Sequence, residues 1–215
     1  MKPRVLMLCI LMILVAAAAT VYYYPSLPET IPIHWSLAGQ VDGHGPRWHL
    51  WLAGPVMMTG ILLVGVVLPW LSPKQFAVQG FASTYSYLIA VPVALLGCVE
   101  AIMLSAALGG TLDLRRLMPA LLFVVLILIG NPMGKVKRNF FMGIRTPWTL
   151  ASERVWYATH RLAGKLMVAS GVLGLLAVWL SAPSWLQLLL GFAWAVVAVL
   201  YSLAYSKRLE REGRA

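Results

Sequence analysis

The chain has 215 residues, of which 60% are hydrophobic and only 11% are charged, and its mean hydropathy is +0.81. A soluble domain keeps about a quarter of its residues charged, so this composition excludes a soluble enzyme, a coiled coil and a disordered chain. The net charge of +10 would suggest nucleic-acid binding in a soluble protein. Here the placement of the cations at membrane-flanking positions accounts for it, and no direct contact with nucleic acid is expected.

Hydrophobic stretches long enough to cross a bilayer recur along the whole chain. A transmembrane helix needs about 20 mainly apolar residues, and the sequence predicts an all-α, polytopic membrane protein with six transmembrane helices. Pro55 and Pro92 are expected to bend or break the second and the third of them. The six predicted spans are Val5 to Tyr24, Arg47 to Leu71, Phe81 to Leu108, Leu117 to Met133, Arg161 to Leu180 and Trp185 to Ser206.

The first stretch also has features of a cleaved signal peptide. Lys2 and Arg4 form a positive N-terminal region, and the alanines from Ala16 to Ala19 supply small residues for cleavage. The apolar stretch continues past these alanines into three tyrosines, which makes it longer than the usual signal-peptide core of about 7 to 15 residues. A retained first helix is therefore favoured, and cleavage stays open.

The lysines and arginines are distributed unevenly between alternate ends of the predicted helices. Cationic flanks are retained on the cytoplasmic side, and one side receives 14 cations while the other receives 3. Both termini are therefore predicted to be cytoplasmic. The larger group comprises Lys2, Arg4, Lys74, Lys135, Lys137, Arg138, Arg145, Arg154, Arg161, Lys165, Lys207, Arg208, Arg211 and Arg214; the smaller comprises Arg47, Arg115 and Arg116.

The outer loop, residues 25–46, has the composition of an ordered cap. Prolines near its start exclude helix, the alternation from Ile31 to Trp35 predicts a short strand, and Asp42-Gly43 predicts a tight turn. Pro46 is expected at the first position of the following helix. The loop and the start of that helix also contain residue types that bind zinc or copper, but in a spacing that fits no established motif: His34, Asp42, His44 and His49.

Glu100 is an acidic residue inside a predicted span, about 12 Å from the outer end of its helix. A carboxyl at this depth is costly and normally faces the bundle interior. Arg115, Arg116 and His49 are the candidates to pair with it. We favour a protonated hydrogen bond between helices. The alternatives are a proton or cation step in a transporter, and a polar anchor for a bound peptide.

The inner loop, residues 134–150, is long for a connector without evident secondary structure, and such loops are often functional. Thr149 is expected to cap the helix that follows, and Glu153 lies in its first turn, where it complements the helix dipole. Trp156 and His160 are four residues apart and share one helix face. Residues 151–160 are therefore predicted to form an interfacial helix that runs into, or bends toward, the fifth span.

Cations in the inner loop suggest an anion site. Guanidinium groups form paired hydrogen bonds to carboxylates and phosphates, so Arg145, Lys137, Arg138 and Asn139 are candidates to bind a lipid phosphate or a partner's carboxylate. For Lys135, Lys137 and Arg138 we favour the alternative that they only retain the loop in the cytoplasm. Arg145 differs because it lies in a restricted turn between a glycine and a Thr-Pro pair.

Two sequence motifs, one that begins in the inner loop and one in the outer loop, resemble segments of known protein families. The first runs from Asn139 to Leu150 and continues with Trp156, Thr159-His160-Arg161 and Gly164; the second comprises Pro28, Pro32, His34, Gly39 and Asp42-Gly43. The first motif resembles the signature of the SdpI family, which are bacterial toxin-immunity membrane proteins. The second resembles the uncharacterised N-terminal domain that precedes this signature in longer, six-span members, although it departs from the usual pattern after Gly43.

The resemblance implies an immunity protein of the bacterial inner membrane that protects against a secreted peptide toxin, is not an enzyme and needs no cofactor. In the founding member the toxin-engaged protein also holds a cytoplasmic transcriptional repressor at the membrane. The expected partners are therefore the toxin, such a repressor and membrane lipids. The expected domains are an N-terminal two-helix region, residues 1–80, and an SdpI-like four-helix region, residues 81–215.

The candidate site residues form two groups. A ligand at the outer loop is expected to contact His34, Trp35, Gly39 and Asp42. A partner or lipid at the inner loop is expected to contact Asn139, Gly143, Arg145, Thr146, Pro147, Trp148, Trp156, His160 and Arg161. Two other functions stay open: a small-solute or ion transporter that uses Glu100, and a metal-dependent membrane enzyme that uses the outer histidines.

Overall fold

A computed structural model describes residues 1–36 and 39–213 of the chain. The described part contains six helices that are long and apolar enough to span a membrane. This confirms the predicted all-α, polytopic membrane protein. Residues 37–38 of the outer loop and Arg214, one of the cations counted above, lie outside the described residues.

The helices follow the predicted spans to within a few residues, except at the start of the fifth span and the end of the sixth. A turn of 3-10 helix, Tyr24–Ser26, follows the first helix, and two more, Lys74–Phe76 and Val78–Phe81, precede the third. In chain order, α1 is Pro3–Tyr23, α2 is His49–Leu71, α3 is Ala82–Ala107, α4 is Leu114–Met133, α5 is Pro147–Ala151, α6 is Glu153–Trp179 and α7 is Ser184–Arg211.

The two prolines that were expected to bend or break spans, Pro55 and Pro92, act differently. Around Pro55, α2 widens into a π-helical turn, Leu52–Val56, because proline has no amide hydrogen and its ring crowds the preceding turn. The hydroxyl of Thr59 donates to the carbonyl oxygen of Pro55 at 2.7 Å and satisfies it. By contrast, α3 continues through Pro92 as one helix, so a break at this position is not observed.

The described chain forms two compact units, each discontinuous in sequence. The first comprises Met1–Val67 and Ser86–Leu121, and the second comprises Leu68–Tyr85 and Leu122–Ala215. The outer loop lies in the first unit, and the inner loop lies in the second. The predicted domain boundary at residue 80 stays a prediction.

In the first unit, the outer loop is an antiparallel hairpin of β1, Thr30–Trp35, and β2, Val41–Pro46. The predicted strand is confirmed as β1. Two other predictions were wrong: Asp42-Gly43 lies within β2 rather than in a turn, and Pro46 ends this strand rather than beginning α2. These residues lie in an extended strand because β2 pairs with β1. Gly43 lies opposite His34, and a Cβ at position 43 would come within 2.9 Å of the His34 Cβ.

The hairpin is held in place by an apolar core and by one arginine. Arg47 lies 4.7 Å from the centre of the Tyr24 ring and donates to the carbonyl oxygens of Tyr24 and Leu27 at 3.4 and 3.3 Å. These contacts use both the charge and the donors of the guanidinium. The buried core cluster that joins the hairpin to the helix ends consists of Leu27, Ile31, Leu50, Met103 and Leu104.

In the second unit, α4 and α6 approach closely through glycines. A Cβ on Gly130 would lie 3.0 Å from the Gly164 carbonyl oxygen, and a Cβ on Gly164 would lie 2.7 Å from the Gly130 carbonyl oxygen. Small residues at such a crossing allow two helix backbones to meet inside a membrane. This packing joins α4 to the first half of α6, the part of the helix that also contacts the inner loop through His160.

Candidate functional site

The inner loop is organised around the buried side chain of Asn139. Its carboxamide oxygen accepts hydrogen bonds from the amides of Phe141 and Met142 at 2.8 and 2.7 Å. Its amide group donates to the carbonyl oxygens of Lys137 and Met142 at 2.9 and 3.1 Å. Two donors and two acceptor positions are the full capacity of this side chain. Asn139 therefore shapes the loop and has no hydrogen-bonding group left for an anion.

His160 connects the loop to α6. Nδ1 lies 2.8 Å from the carbonyl oxygen of Trp156, which can only accept, so Nδ1 carries the hydrogen. Nε2 lies 3.0 Å from the backbone amide of Ile144 and accepts from it. The imidazole stacks on the Trp156 ring at 4.0 Å, and the Trp156 indole donates to the Val136 carbonyl oxygen at 2.8 Å. Both rings are fully buried, so they do not form an exposed binding face.

Gly143 makes the approach of the loop to His160 feasible. Its φ of +102° lies in the region that favours glycine, and a Cβ at this position would collide with Nε2 of His160. Any other residue here would strain the backbone and displace the imidazole that accepts from Ile144.

The short helix α5 begins with a capping box, which corrects the predicted cap. Thr146 is the N-cap, its hydroxyl accepts from the Thr149 amide, and the Thr149 hydroxyl accepts from the Thr146 amide at 2.8 Å. Thr149 is thus the third residue of α5, and Pro147 is the first. The Thr149 hydroxyl also donates to the Ile144 carbonyl oxygen at 2.8 Å.

The helix predicted at residues 151–160 is not a separate element. α6 begins at Glu153, which does lie in its first turn, and continues without a break to Trp179. The prediction that this segment runs into the fifth span is therefore confirmed. α5 is also connected to α7, because the Trp148 indole donates to the hydroxyl of Ser202 at 2.7 Å.

Arg138 has a structural role that the sequence did not predict. Its guanidinium donates to the carbonyl oxygens of Leu150 and Ala151 at 3.0 and 3.2 Å, at the C-terminal end of α5 where the helix dipole favours a cation. It also lies 3.9 Å from the Glu153 carboxylate and 5.6 Å from the centre of the Phe76 ring. Hence Arg138 holds the loop to α5 and is more than a cation that retains the loop in the cytoplasm.

Arg145 is the exposed guanidinium of the loop. One of its nitrogens donates to the carbonyl oxygen of Phe140, and a guanidinium has five N–H donors in all. This bond orients the side chain and leaves further donors unused by it, and an anion site at Arg145 stays a prediction. Other cations of the second unit are exposed as well: Lys135, Lys137, Arg161 and Lys165.

The outer candidate residues differ in exposure. Nδ1 of His34 lies 2.6 Å from the Asp42 carboxylate, and both side chains are exposed. Trp35 instead packs against the core cluster beneath the hairpin. Gly39 has a φ of +74°, and a Cβ there would lie 2.6 Å from the Arg115 Cα. His34 and Asp42 are thus accessible to a ligand, whereas Trp35 and Gly39 hold the hairpin.

A metal site at the outer histidines finds little support in this geometry. Within residues 1–36 and 39–213, no group of three or more His, Cys, Asp or Glu residues is placed to hold a metal ion. His34 contacts Asp42, while His49 is hydrogen-bonded to the Pro46 carbonyl oxygen at 2.8 Å.

Glu100 is buried in the first unit, with 2% of its surface exposed. The Thr20 hydroxyl on α1 donates to its Oε1 at 2.5 Å, so a hydrogen bond between α1 and α3 is confirmed. The partners expected from the sequence do not make this contact: Arg116 pairs with Asp113 at 3.6 Å, and His49 binds Pro46. Sequence reasoning missed Thr20 because a single threonine in an apolar helix carries no periodic signal.

Comparison with known proteins adds three findings. Residues 135–206 match the model of the SdpI/YfhL protein family, and residues 11–59 match a domain of unknown function (DUF1648). The immunity protein SdpI of Bacillus subtilis strain 168 is 29% identical over 151 residues, which are 70% of this chain and 70% of that protein. No solved structure matches the chain. The predicted resemblances are thus confirmed. The segment with the inner loop, α6 and most of α7 matches the SdpI/YfhL family model, and the segment with the outer hairpin matches the domain of unknown function.

Proposed function

We propose that the chain is an immunity protein of the cytoplasmic membrane that protects its cell against a secreted, membrane-active peptide toxin. The observation that carries this proposal is the similarity to the Bacillus immunity protein over 70% of the chain. The inner loop supports it, because the polar side chains of Asn139, Thr149 and His160 are engaged in holding the loop. Such a rigid surface suits binding, and we do not propose a catalytic role.

The two loops have different tasks in this proposal. The distribution of cations, 14 on one side against 3 on the other, assigns the inner loop to the cytoplasm and the outer hairpin to the exterior. The exposed His34 and Asp42 would then meet a secreted peptide. The exposed guanidinium of Arg145 would meet anionic lipid headgroups or the carboxylates of a cytoplasmic partner, such as a transcriptional repressor held at the membrane.

A killing assay tests the proposal. The chain is expressed in a bacterium that is sensitive to a panel of secreted peptide toxins, and its insertion is verified in the membrane fraction. We expect survival to rise at least tenfold against one toxin of the panel. Unchanged killing by every toxin, with the protein correctly inserted, would contradict the proposal.

The role of Arg145 is tested in the same assay with a matched variant. Arg145→Ala removes an exposed guanidinium from the loop, and Lys135→Ala removes another exposed cation near the start of the same loop. We expect protection to fall with the first variant and to persist with the second. Full protection by Arg145→Ala would remove this residue from the mechanism.

A further inference from the structure

The buried carboxyl of Glu100 has one oxygen without a partner. Oε1 accepts from Thr20, but Oε2 makes no hydrogen bond to any residue that the structure describes. A buried polar atom without a partner is unfavourable because its lost hydration is not replaced, and such atoms are rare enough in native proteins to require an explanation.

The surroundings of this carboxyl are shaped to accommodate it. Gly54, in the π-helical turn of α2, is buried, and a Cβ at this position would collide with the Glu100 carboxylate. π-Helical turns occur mostly as single turns within α-helices and frequently at functional sites. Thr20 is fully buried as well. Hence three helices of the first unit contribute to the position of one side chain.

Glu100 also lines an apolar cavity of about 510 Å³ in the same unit. α1 contributes Ala16 and Ala19 to its wall, and α3 contributes Ala94, Gly97 and Ala101. The three α3 residues are spaced at i, i+3 and i+7 and therefore share one helix face. Ala94 and Ala101 are exposed, so the cavity is open along this face.

The composition of the wall favours a helical peptide over a lipid chain. Small residues at this spacing let another helix approach the backbone closely, whereas an acyl chain does not need them. Glu100 lies about 10 Å before the end of α3, and an acyl chain at that depth has no hydrogen-bond donor to offer Oε2. A helical peptide that carries a hydroxyl, amide or ammonium group has one.

We propose that this cavity binds an apolar, membrane-inserted peptide helix whose hydrogen-bond donor pairs with Oε2 of Glu100. The inference rests on the proposed function for its natural occupant, which would be the toxin. It adds that recognition takes place within the bilayer, at α1 and α3, and not solely at the outer hairpin.

Cross-linking tests this binding with synthetic probes. Cys98 is exposed at the cavity, and a Cys9→Ser background leaves it as the one thiol of the 215-residue chain. The probes are two leucine-alanine helices of 20 residues that carry a cysteine, one with a central lysine and the other with a central leucine. In liposomes treated with copper phenanthroline, we expect about tenfold more disulfide to Cys98 with the lysine helix, as for a charge-assisted hydrogen bond.

Three variants make the cross-linking specific. Glu100→Gln keeps an acceptor for Thr20 but places a donor where Oε2 was, so the preference for the lysine helix should disappear. Ala101→Leu fills the cavity and should reduce cross-linking of both helices. Ala18→Leu adds the same volume on the exposed part of α1 outside the cavity and should change nothing. Equal cross-linking of both helices to the parent protein would overturn the inference.

The killing assay separates this inference from the proposed function. If the parent chain protects, Glu100→Gln and Ala101→Leu should lose protection while Ala18→Leu retains it. Equal protection by all of them would overturn the intramembrane site and leave the immunity function standing. If the parent chain does not protect, the proposed function fails, and the preference for the lysine helix alone decides whether the site binds such a peptide.

Discussion

At the scale of single residues, the most constrained position of the inner loop is Gly143. Its φ of +102° disfavours any other residue, and the adjacent Nε2 of His160 occupies the space of a side chain. Strained backbone of this kind costs about 1 to 3 kcal/mol, and the collision adds the loss of the bond to Ile144.

We therefore predict that Gly143→Ala lowers the free energy of unfolding by about 3 kcal/mol. The measurement is thermal unfolding of the purified protein in detergent. Gly60→Ala is the control, because a Cβ there meets nothing within 4 Å and alanine stabilises a helix relative to glycine. Equal thermal midpoints for the two variants would contradict the described loop.

Asn139 provides a second test, since all its hydrogen-bonding groups are used within the loop. Asn139→Asp keeps the shape but removes two donors and introduces a buried carboxyl, and we predict a loss of about 3 kcal/mol or more in stability. Asn131→Asp makes the same change at an exposed position and should leave the stability nearly unchanged. An unfolding midpoint of Asn139→Asp that matches the control would show that Asn139 does not organise the loop.

These residues also show where sequence reasoning stops. Asn139 and Arg145 were both candidates for an anion site because their types and spacing were known, but their hydrogen bonds were not. The partner of His160 is Ile144, 16 residues earlier, and no local pattern identifies such a contact. Arg145 stays a candidate because it is exposed, and Asn139 does not because its capacity is filled.

At the scale of elements, the helices were predictable and the second strand was not. Hydropathy over about 20 residues is a local property, and it located all six spans. β2 contains two glycines and a proline, Val-Asp-Gly-His-Gly-Pro, which are residues with low strand propensity. It is extended because it pairs with β1, and pairing is a non-local property.

The short helix α5 leads to a prediction of its own. Thr149→Val keeps the shape of the side chain and removes the hydroxyl that accepts from Thr146 and contacts Ile144. We predict a loss of about 1 to 2 kcal/mol and faster hydrogen exchange in residues 144–151, measured by mass spectrometry. Thr149→Ser retains the hydroxyl and should exchange at the parent rate. Parental exchange in Thr149→Val would mean that the capping box does not hold α5.

At the scale of the whole molecule, the resemblance and the function depend on different residues. Gly143, Trp156 and His160 belong to the motif that matches the SdpI signature, and each of them builds the loop. The motif could therefore predict the architecture of this segment. Arg145 and Arg161 are exposed cations of the motif, and whether they bind a partner depends on which side of the membrane they face.

The orientation of the chain is the last prediction. Cationic flanks stay in the cytoplasm because their transfer across the membrane is unfavourable, and the inner loop carries several of the 14 cations on its side. Arg145→Cys and Gln40→Cys, each placed in a background with both native cysteines replaced by serine, report on the two loops at exposed positions. A membrane-impermeant thiol reagent should label Gln40→Cys in intact spheroplasts and Arg145→Cys only after permeabilisation. The reverse pattern would place the signature loop outside the cell, where it could contact neither a cytoplasmic repressor nor inner-leaflet lipids.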